Sequence, residues 1–451
     1  VVEPAVIDLL VETLGDIVSS DAADLEAARS DKSGHTGLGA PLAVVTARSI
    51  DDVRSVMRIA TQTRTPVVPR GAGTGLAGGA IAGVGEIVLS TLGMNRLLEV
   101  AVEDELAVVE PGIINADLNA LIEPSGLWFA PDPASRAIST VGGNIATNAG
   151  GLLCAKYGVT RDAVLGLKVV LADGALVQLG RRTIKGVTGL DLTSLMIGSE
   201  GTLGVIVEAT VRLRPLVRGP ASTISATFPT VDDASRCAAA ISLAGLSPSI
   251  MELIGESAMN GIGEYLGFVH PGGSQLIVQL DGPNALARGD EALEIVGRHS
   301  GEAILSVDPV QSESLFAIRR AFHSAMAARG TVLIEDVCVP RSRLSAMFAA
   351  ISEIEHRHGI TIPTVAHAAD GNLHPNFVFE GPDVPDLIWA AADELFLATL
   401  RLGGTLTGEH GVGILKRRWL QDELGAEQVD LQRRVKAVFD PLGILNPGKV
   451  F

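Results

Sequence analysis

Cysteine is almost missing from this 451-residue chain: Cys154, Cys237 and Cys338 lie far apart and form no Cys-x-x-Cys. Three cysteines cannot all pair within one chain, which excludes a disulfide scaffold and suits a reducing compartment. Nor can they supply the four thiolates of an ordinary iron–sulfur cluster. Aromatic residues make up only 4%. Basic residues are outnumbered, 35 Lys and Arg against 52 Asp and Glu, for a net charge of −17. A general nucleic-acid binder needs a basic face, so that class is excluded. Long apolar runs are lacking too. The longest uncharged stretch, 137–155, is full of Gly, Asn, Ser and Thr and is no membrane span. Before Arg29 there are seven acidic and no basic residues, unlike a secretory signal or a basic transit peptide. The expectation is a cytoplasmic protein, with peripheral membrane association left open.

What is present is a globular composition, 47% hydrophobic and 19% charged. At roughly 150 residues per domain, two or three domains are expected. The unusual abundance is glycine, with 51 residues. Residues 66–85 hold seven of them, and 142–158, 186–204 and 403–413 hold five each. This clustering has no collagen-like period, so it points to local needs of the backbone.

The first half reads as short strands between glycine-rich loops. Ser49 with Asp52 forms a capping signal for a helix that should end before Pro66. Pro66–Pro69 reads as a strand leading into the first glycine loop. Val164–Leu171 and Ala175–Leu179 flank Asp173-Gly174, a hairpin signal, and Thr202–Leu213 is strand-rich. Near Pro215–Pro220 the texture changes to alternating helices and strands. Helices are expected at Val231–Ala244, Ala285–His299, Ser312–Arg329, Arg343–His358 and Leu387–Leu402. Strands are expected at Gln275–Asp281 and Thr331–Val339. This alternation predicts a compact α+β domain between glycine-rich halves.

Gly73-Thr-Gly-Leu-Ala-Gly78 matches Gly-x-Gly-x-x-Gly, the dinucleotide fingerprint. That fingerprint needs a helix opening at its last glycine, and Gly79, Gly83 and Gly85 prevent one. A nicotinamide site is therefore rejected. A backbone nest for an anion, edged by Arg70, and an ordinary glycine-rich turn both stay open.

His367-Ala-Ala-Asp-Gly-Asn-Leu-His374 permits a geometric reading. Strands at Thr361–Ala368 and Leu373–Glu380 would fold about a two-residue Asp370-Gly371 turn. That turn pairs Ala369 with Asn372, Ala368 with Leu373 and His367 with His374. The two imidazoles would face each other with Cβ atoms about 5 Å apart, close enough to converge on one cation. Two hydrogen-bonded strand histidines remain the alternative. Glu409, in Gly403-Gly-Thr-Leu-Thr-Gly-Glu-His-Gly-Val-Gly413, can add a carboxylate while His410 points elsewhere.

Taken together, these segments resemble the FAD-binding fold of the vanillyl-alcohol-oxidase type. Within it they resemble the D-lactate dehydrogenase, glycolate oxidase and D-2-hydroxyglutarate dehydrogenase family. The resemblance rests on PRGAGTGLAGG, PDPASRAISTVGGNIATNAGG, TGLDLTSLMIGSEGTLGVI, HAADGNLHPN, TGEHGVG and LNPGKVF, in that order from residue 36 to 451. It implies an α+β architecture, a two-part FAD-binding domain with an inserted substrate domain built on an antiparallel sheet. The implied organisation is an N-terminal helical segment 1–35, an FAD-binding domain 36–216, a substrate domain 217–408 carrying the histidine hairpin, and a segment 409–451 returning to the FAD domain.

The resemblance implies that FAD lies against Pro69, Arg70, Gly71, Ala72, Gly73, Thr74, Gly75, Gly78 and Gly79 at its pyrophosphate. Pro131, Asp132, Ser135, Gly142, Gly143, Asn144, Asn148 and Gly150 would line a second stretch. Glu200, Gly201, Gly204 and Ile206 would border the adenosine side, with Asn446 returning near the ring. No histidine stands in residues 66–85, so the flavin is expected to be noncovalent. The implied metal ligands are His367, His374 and Glu409. Two histidines and a carboxylate suit zinc foremost, and manganese or iron as well.

The implied reaction is oxidation of a D-2-hydroxy acid to the 2-oxo acid. The metal activates the hydroxyl, His410 takes its proton, and hydride passes to flavin N5. Asn376 and His410 map to the substrate side, and Arg319 to a carboxylate clamp, with its neighbour Arg320 a second candidate. The hydroxyglutarate enzymes hold a second carboxylate with a threonine and a lysine. Here those positions align with His323 and Ile334, and an apolar Ile334 cannot hold an anion. A monocarboxylate such as D-lactate, glycolate or a longer apolar acid is expected. D-2-hydroxyglutarate is the alternative substrate, and a metal-dependent hydrolase is the alternative class. Electrons must leave to an external acceptor: a quinone, a cytochrome or an iron–sulfur protein. A homodimer is left open.

Overall fold

The computed structural model describes residues 3–451. The chain divides into two compact units. One comprises the residues up to Gly151, then Gly158–Leu216 and Glu409–Phe451; the other comprises Leu152–Tyr157 and Val217–Gly408.

The first unit holds a four-stranded and a five-stranded sheet. In the smaller sheet Ile87–Ser90 lies parallel to both Ala43–Thr46 and Val67–Arg70. The helix Ile50–Thr63 connects two of these strands, and its start follows from the sequence: the Ser49 hydroxyl accepts the Asp52 N–H at 3.2 Å. Val53, Val56, Met57 and Ala60 form its buried face against Val45, Val67, Ile87 and Leu89. Burial of each larger side chain contributes about 1.5–3 kcal/mol. The helix stops at Arg64, in the left-handed conformation, two residues before Pro66.

The five-stranded sheet is antiparallel, in the order Leu97–Ala101, Leu106–Val109, Val205–Arg212, Val164–Val170, Leu176–Gly180. The Asp173-Gly174 hairpin forms as its sequence predicts, with Val170 opposite Leu176. The C-terminal segment joins this unit through Val67, which donates its N–H to Ile444 and accepts from Asn446, both at 2.8 Å.

The second unit is built on one antiparallel sheet. Its order is Glu302–Ser306, Ser222–Phe228, Ser274–Leu280, Ile250–Ile254, Thr364–His367, Asn372–Phe379, Thr331–Ile334, with Val337–Cys338 also on Asn372–Phe379. The run expected as one strand, Thr331–Val339, breaks at Glu335 and Asp336, both buried. Ile250–Ile254 is central, and all five of its residues are buried. The long helix Pro309–Ala327 turns Phe316, Phe322, Ala325 and Met326 inward. Leu152 and Leu153 pack against the same core, and the Tyr157 hydroxyl donates to Asp281 at 2.6 Å. Those contacts draw 152–157 into this unit although its neighbours in sequence belong to the other.

Candidate active site

The histidine hairpin differs from its predicted register by two residues. His367 pairs with Asn372, Ala366 with Leu373 and Val365 with His374. The reason is the turn. Ala368–Gly371 forms a four-residue loop in which the Gly371 N–H bonds back to the His367 carbonyl at 2.9 Å. Gly371 takes φ +87°, and a Cβ there would collide with the Val339 carbonyl. An even slip keeps every side chain on its original face. His367 and His374 therefore stay on one face, as diagonal neighbours rather than directly opposed.

The rings meet edge-on, with centroids 5.1 Å apart and planes at 81°. Their Nε2 atoms approach to 3.3 Å. Each Nδ1 faces a carboxylate that sequence reading did not single out. His367 Nδ1 lies 2.6 Å from Glu252 Oε1, across the pair Glu252–His367 of adjacent strands. His374 Nδ1 lies 3.9 Å from Asp336 Oδ1, and the Thr407 hydroxyl donates to the other Asp336 oxygen at 2.7 Å. Both carboxylates are fully buried. Burial alone would raise the Glu252 carboxyl, but His367 and Arg319 together hold it below the ordinary value. A neutral imidazole that gives its Nδ1 proton to Glu252 presents a lone pair at Nε2. Two such nitrogens facing each other suit a shared cation.

Around this pair stand the expected substrate residues of the same unit. Arg319 donates from Nε to Glu252 Oε2 at 2.7 Å, while Arg320 is exposed and pairs with Glu313. Asn376 is buried on the His374 side of its strand; its Nδ2 donates to the His374 carbonyl at 3.0 Å. Its Oδ1 has no partner among the described residues. Ile334 lies directly opposite Asn376. His323 sits at the surface one turn beyond Arg319, and partial desolvation lowers its pKa. Glu252 did leave a trace in the sequence: it is the one acid in the apolar strand run Ile250–Ile254, where burial demands a partner.

In the first unit the glycine loops come together. Pro69 and Arg70 end their strand, and Gly71, Ala72, Gly73, Thr74, Gly75, Gly78 and Gly79 follow as irregular chain with no helix. Arg70 reaches back to close this loop. It donates to the carbonyls of Ala80 at 2.7 Å and Ser30 at 2.8 Å, and burial lowers its pKa. A Cβ on Gly73 would overlap that guanidinium. Pro131, Asp132 and Ser135 lie in irregular chain before the helix Val141–Thr147, which carries Gly142, Gly143 and Asn144; Asn148 caps it in the left-handed conformation and Gly150 follows. A Cβ on Gly71 would lie 3.7 Å from the Gly143 Cα, so the first and second loops abut. Gly201 packs on the Pro69 ring and Gly204 on Val169, while Ile206 belongs to the sheet core.

Asn446 binds the loops to each other, donating to the carbonyls of Gly79 at 2.9 Å and Glu200 at 2.7 Å. Three buried polar atoms here have no partner among the described residues: Ser139 Oγ, Asn144 Nδ2 and Asn446 Oδ1. Orphaned buried polar atoms fit a polar ligand lying against these loops. The Glu200 carboxylate is taken up internally, accepting the Val412 N–H at 2.8 Å and the Gly413 N–H at 2.9 Å. Burial pushes its pKa up to about 7.

Glu409 and His410 belong to this first unit. The residue before them, Gly408, belongs to the second, and a Cβ on it would collide with the Asn372 amide. No helix among the described residues is long and apolar enough to cross a membrane.

Comparison with known proteins bears on both units. Residues 41–180 match an FAD binding domain, and residues 220–450 match the C-terminal domain of FAD linked oxidases. The glycolate oxidase subunit GlcD of Bacillus subtilis is 40% identical, over 91% of this chain and 89% of its own. The mitochondrial D-lactate dehydrogenase (cytochrome) of Arabidopsis thaliana is 34% identical, over 94% of this chain and 75% of its own. The D-2-hydroxyglutarate dehydrogenase of Stutzerimonas stutzeri is 34% identical, over 100% of this chain and 99% of its own. Among solved structures, p-cresol methylhydroxylase with substrate bound matches with a TM-score of 0.79, covering 99% of this chain and 96% of its own at 18% identity, a likeness of fold alone.

Proposed function

This chain belongs to the FAD-linked oxidase family of glycolate, D-lactate and D-2-hydroxyglutarate oxidoreductases, and on that premise we propose that it oxidises a D-2-hydroxy monocarboxylate to the 2-oxo acid. Its fold is the vanillyl-alcohol-oxidase type that the sequence resembles. The observation that carries the finer reading is the pair of Nε2 atoms at 3.3 Å, with Glu252 behind His367.

His367, His374 and Glu409 would hold the divalent metal, zinc foremost. The glycine loops would hold FAD noncovalently. When bound, the flavin supplies hydride acceptance and the metal supplies polarisation of the substrate hydroxyl. His410 would accept the hydroxyl proton, a task suited to an imidazole near neutral pH. Arg319 would pair through its terminal nitrogens with the substrate carboxylate. Asn376 would offer its unpartnered Oδ1 to the hydroxyl side.

Ile334 supports a monocarboxylate. It stands across from Asn376, where a second carboxylate would meet a hydrocarbon. His323, with its pKa lowered, is a poor cation for that carboxylate. Electrons would leave to an external quinone, cytochrome or iron–sulfur protein, since this chain has too few cysteines for a cluster of its own.

The test is anaerobic flavin reduction across a panel of D- and L-2-hydroxy acids, including 2-hydroxyglutarate. Bleaching by D-lactate, glycolate or a longer D-monocarboxylate is expected. A protein that takes up no FAD, or whose flavin is reduced by none of them, would sink the reading.

A further inference from the structure

Glu252 is a fully buried carboxylate whose two oxygens serve two different residues. Oε1 lies 2.6 Å from His367 Nδ1, and Oε2 accepts from Arg319 Nε at 2.7 Å. His367 and Arg319 stand on separate elements, a strand of the sheet and the helix Pro309–Ala327. We propose that Glu252 is a positioning residue that fixes the His367 tautomer for metal binding and aims the Arg319 guanidinium at the substrate carboxylate. The inference rests on the proposed reading of His367 as a metal ligand.

Tautomer chemistry gives the first half. Neutral imidazole carries one proton, and a carboxylate at Nδ1 keeps it there. Nε2 then bears the lone pair, and Nε2 is the atom that faces His374. A carboxylate behind a metal-binding histidine typically changes metal affinity 10–100-fold when removed. The second half follows from the fork of arginine. With Nε spent on Glu252, the terminal nitrogens remain as an edge for a planar anion, and they make no hydrogen bond among the described residues. The Glu252 backbone is held on both sides, opposite Ile277 on one neighbouring strand and His367 on the other.

Glu252→Gln tests this. An amide that offers its oxygen to Arg319 must turn its NH2 toward His367 Nδ1, which drives the ring proton to Nε2. We expect Zn2+ and Mn2+ affinity to fall 10–100-fold by titration of the metal-free, FAD-loaded protein, with FAD content unchanged. Excess metal should restore flavin reduction. At saturating metal the KM for the hydroxy acid should stay raised at least tenfold while kcat recovers. Long-range 15N-histidine spectra of the metal-free protein should show the His367 proton moving from Nδ1 to Nε2. Wild-type metal affinity in the variant overturns the tautomer role, and an unchanged KM at saturating metal overturns the aiming role. If Glu252→Gln does not fold, Glu252→Asp, which keeps the charge but withdraws it by one methylene, is held to the metal-affinity and KM outcomes. A wild-type protein that binds neither metal defeats the metal reading itself, whereas a wild type that binds and a variant that binds equally defeats only the positioning.

Discussion

Glu200 accepts the N–H of Gly413 at 2.9 Å, joining the GSEG loop to the chain that follows His410. The same carboxylate takes the Val412 N–H, and Gly79 and Gly411 leave no room for a Cβ beside it. Its pKa, raised by burial to about 7 from 4.5, ties this anchor to pH. The native state holds the proton more tightly than the unfolded chain. Stability from this group is therefore full below about pH 4.5, falls as pH rises to about 7, and is flat beyond. Two and a half units correspond to about 3 kcal/mol. Glu200→Gln, neutral throughout, should lack this slope. Between pH 4.5 and 8 its stability relative to wild type should rise by about that amount in chemical unfolding of FAD-loaded protein. Parallel profiles would refute the assignment.

The hairpin depends on Gly371. Gly371→Ala places a methyl against the Val339 carbonyl at φ +87°. A destabilisation of roughly 2–4 kcal/mol is expected, together with weaker Zn2+ binding, because the turn sets which residues align. Thermal unfolding and metal titration read the two effects; a neutral result in both would remove the turn from the account.

His410→Ala should suppress anaerobic flavin reduction by at least 100-fold while FAD stays bound, given the 10²–10⁴-fold typical of a positioned proton acceptor. Stopped-flow bleaching at 450 nm, roughly the flavin band, measures it. Unchanged reduction kinetics would take His410 out of the mechanism.

Ile334→Lys should move preference toward D-2-hydroxyglutarate. A cation across from Asn376 replaces a hydrocarbon wall. The ratio of kcat/KM for D-2-hydroxyglutarate to that for D-lactate should rise at least tenfold, about 1.4 kcal/mol of discrimination. An unaltered ratio would place the acid's distal end elsewhere.

Local signals in the sequence led to local structures. The Ser49 cap, the Asp173-Gly174 hairpin and the helix expected at Val231–Ala244 all form within a residue or two. Each is decided by neighbours in the chain. The strand expected at Thr331–Val339 broke at Glu335 and Asp336, because Asp336 turns inward to meet Thr407 and the side of His374. The hairpin of His367 and His374 was legible in face but not in register, since the choice between a two-residue and a four-residue turn rests on Val339 beside Gly371.

By itself the sequence determined the family and the glycine loops, and it supplied the residue types proposed for metal and proton chemistry, because these depend on composition and order along the chain. Tertiary structure alone decided that Glu252 stands behind His367 and also holds Arg319. Glu252 lies 115 residues from His367 and 67 from Arg319; strand pairing across the sheet brings the first to hydrogen-bond distance, and packing of the helix Pro309–Ala327 brings the second.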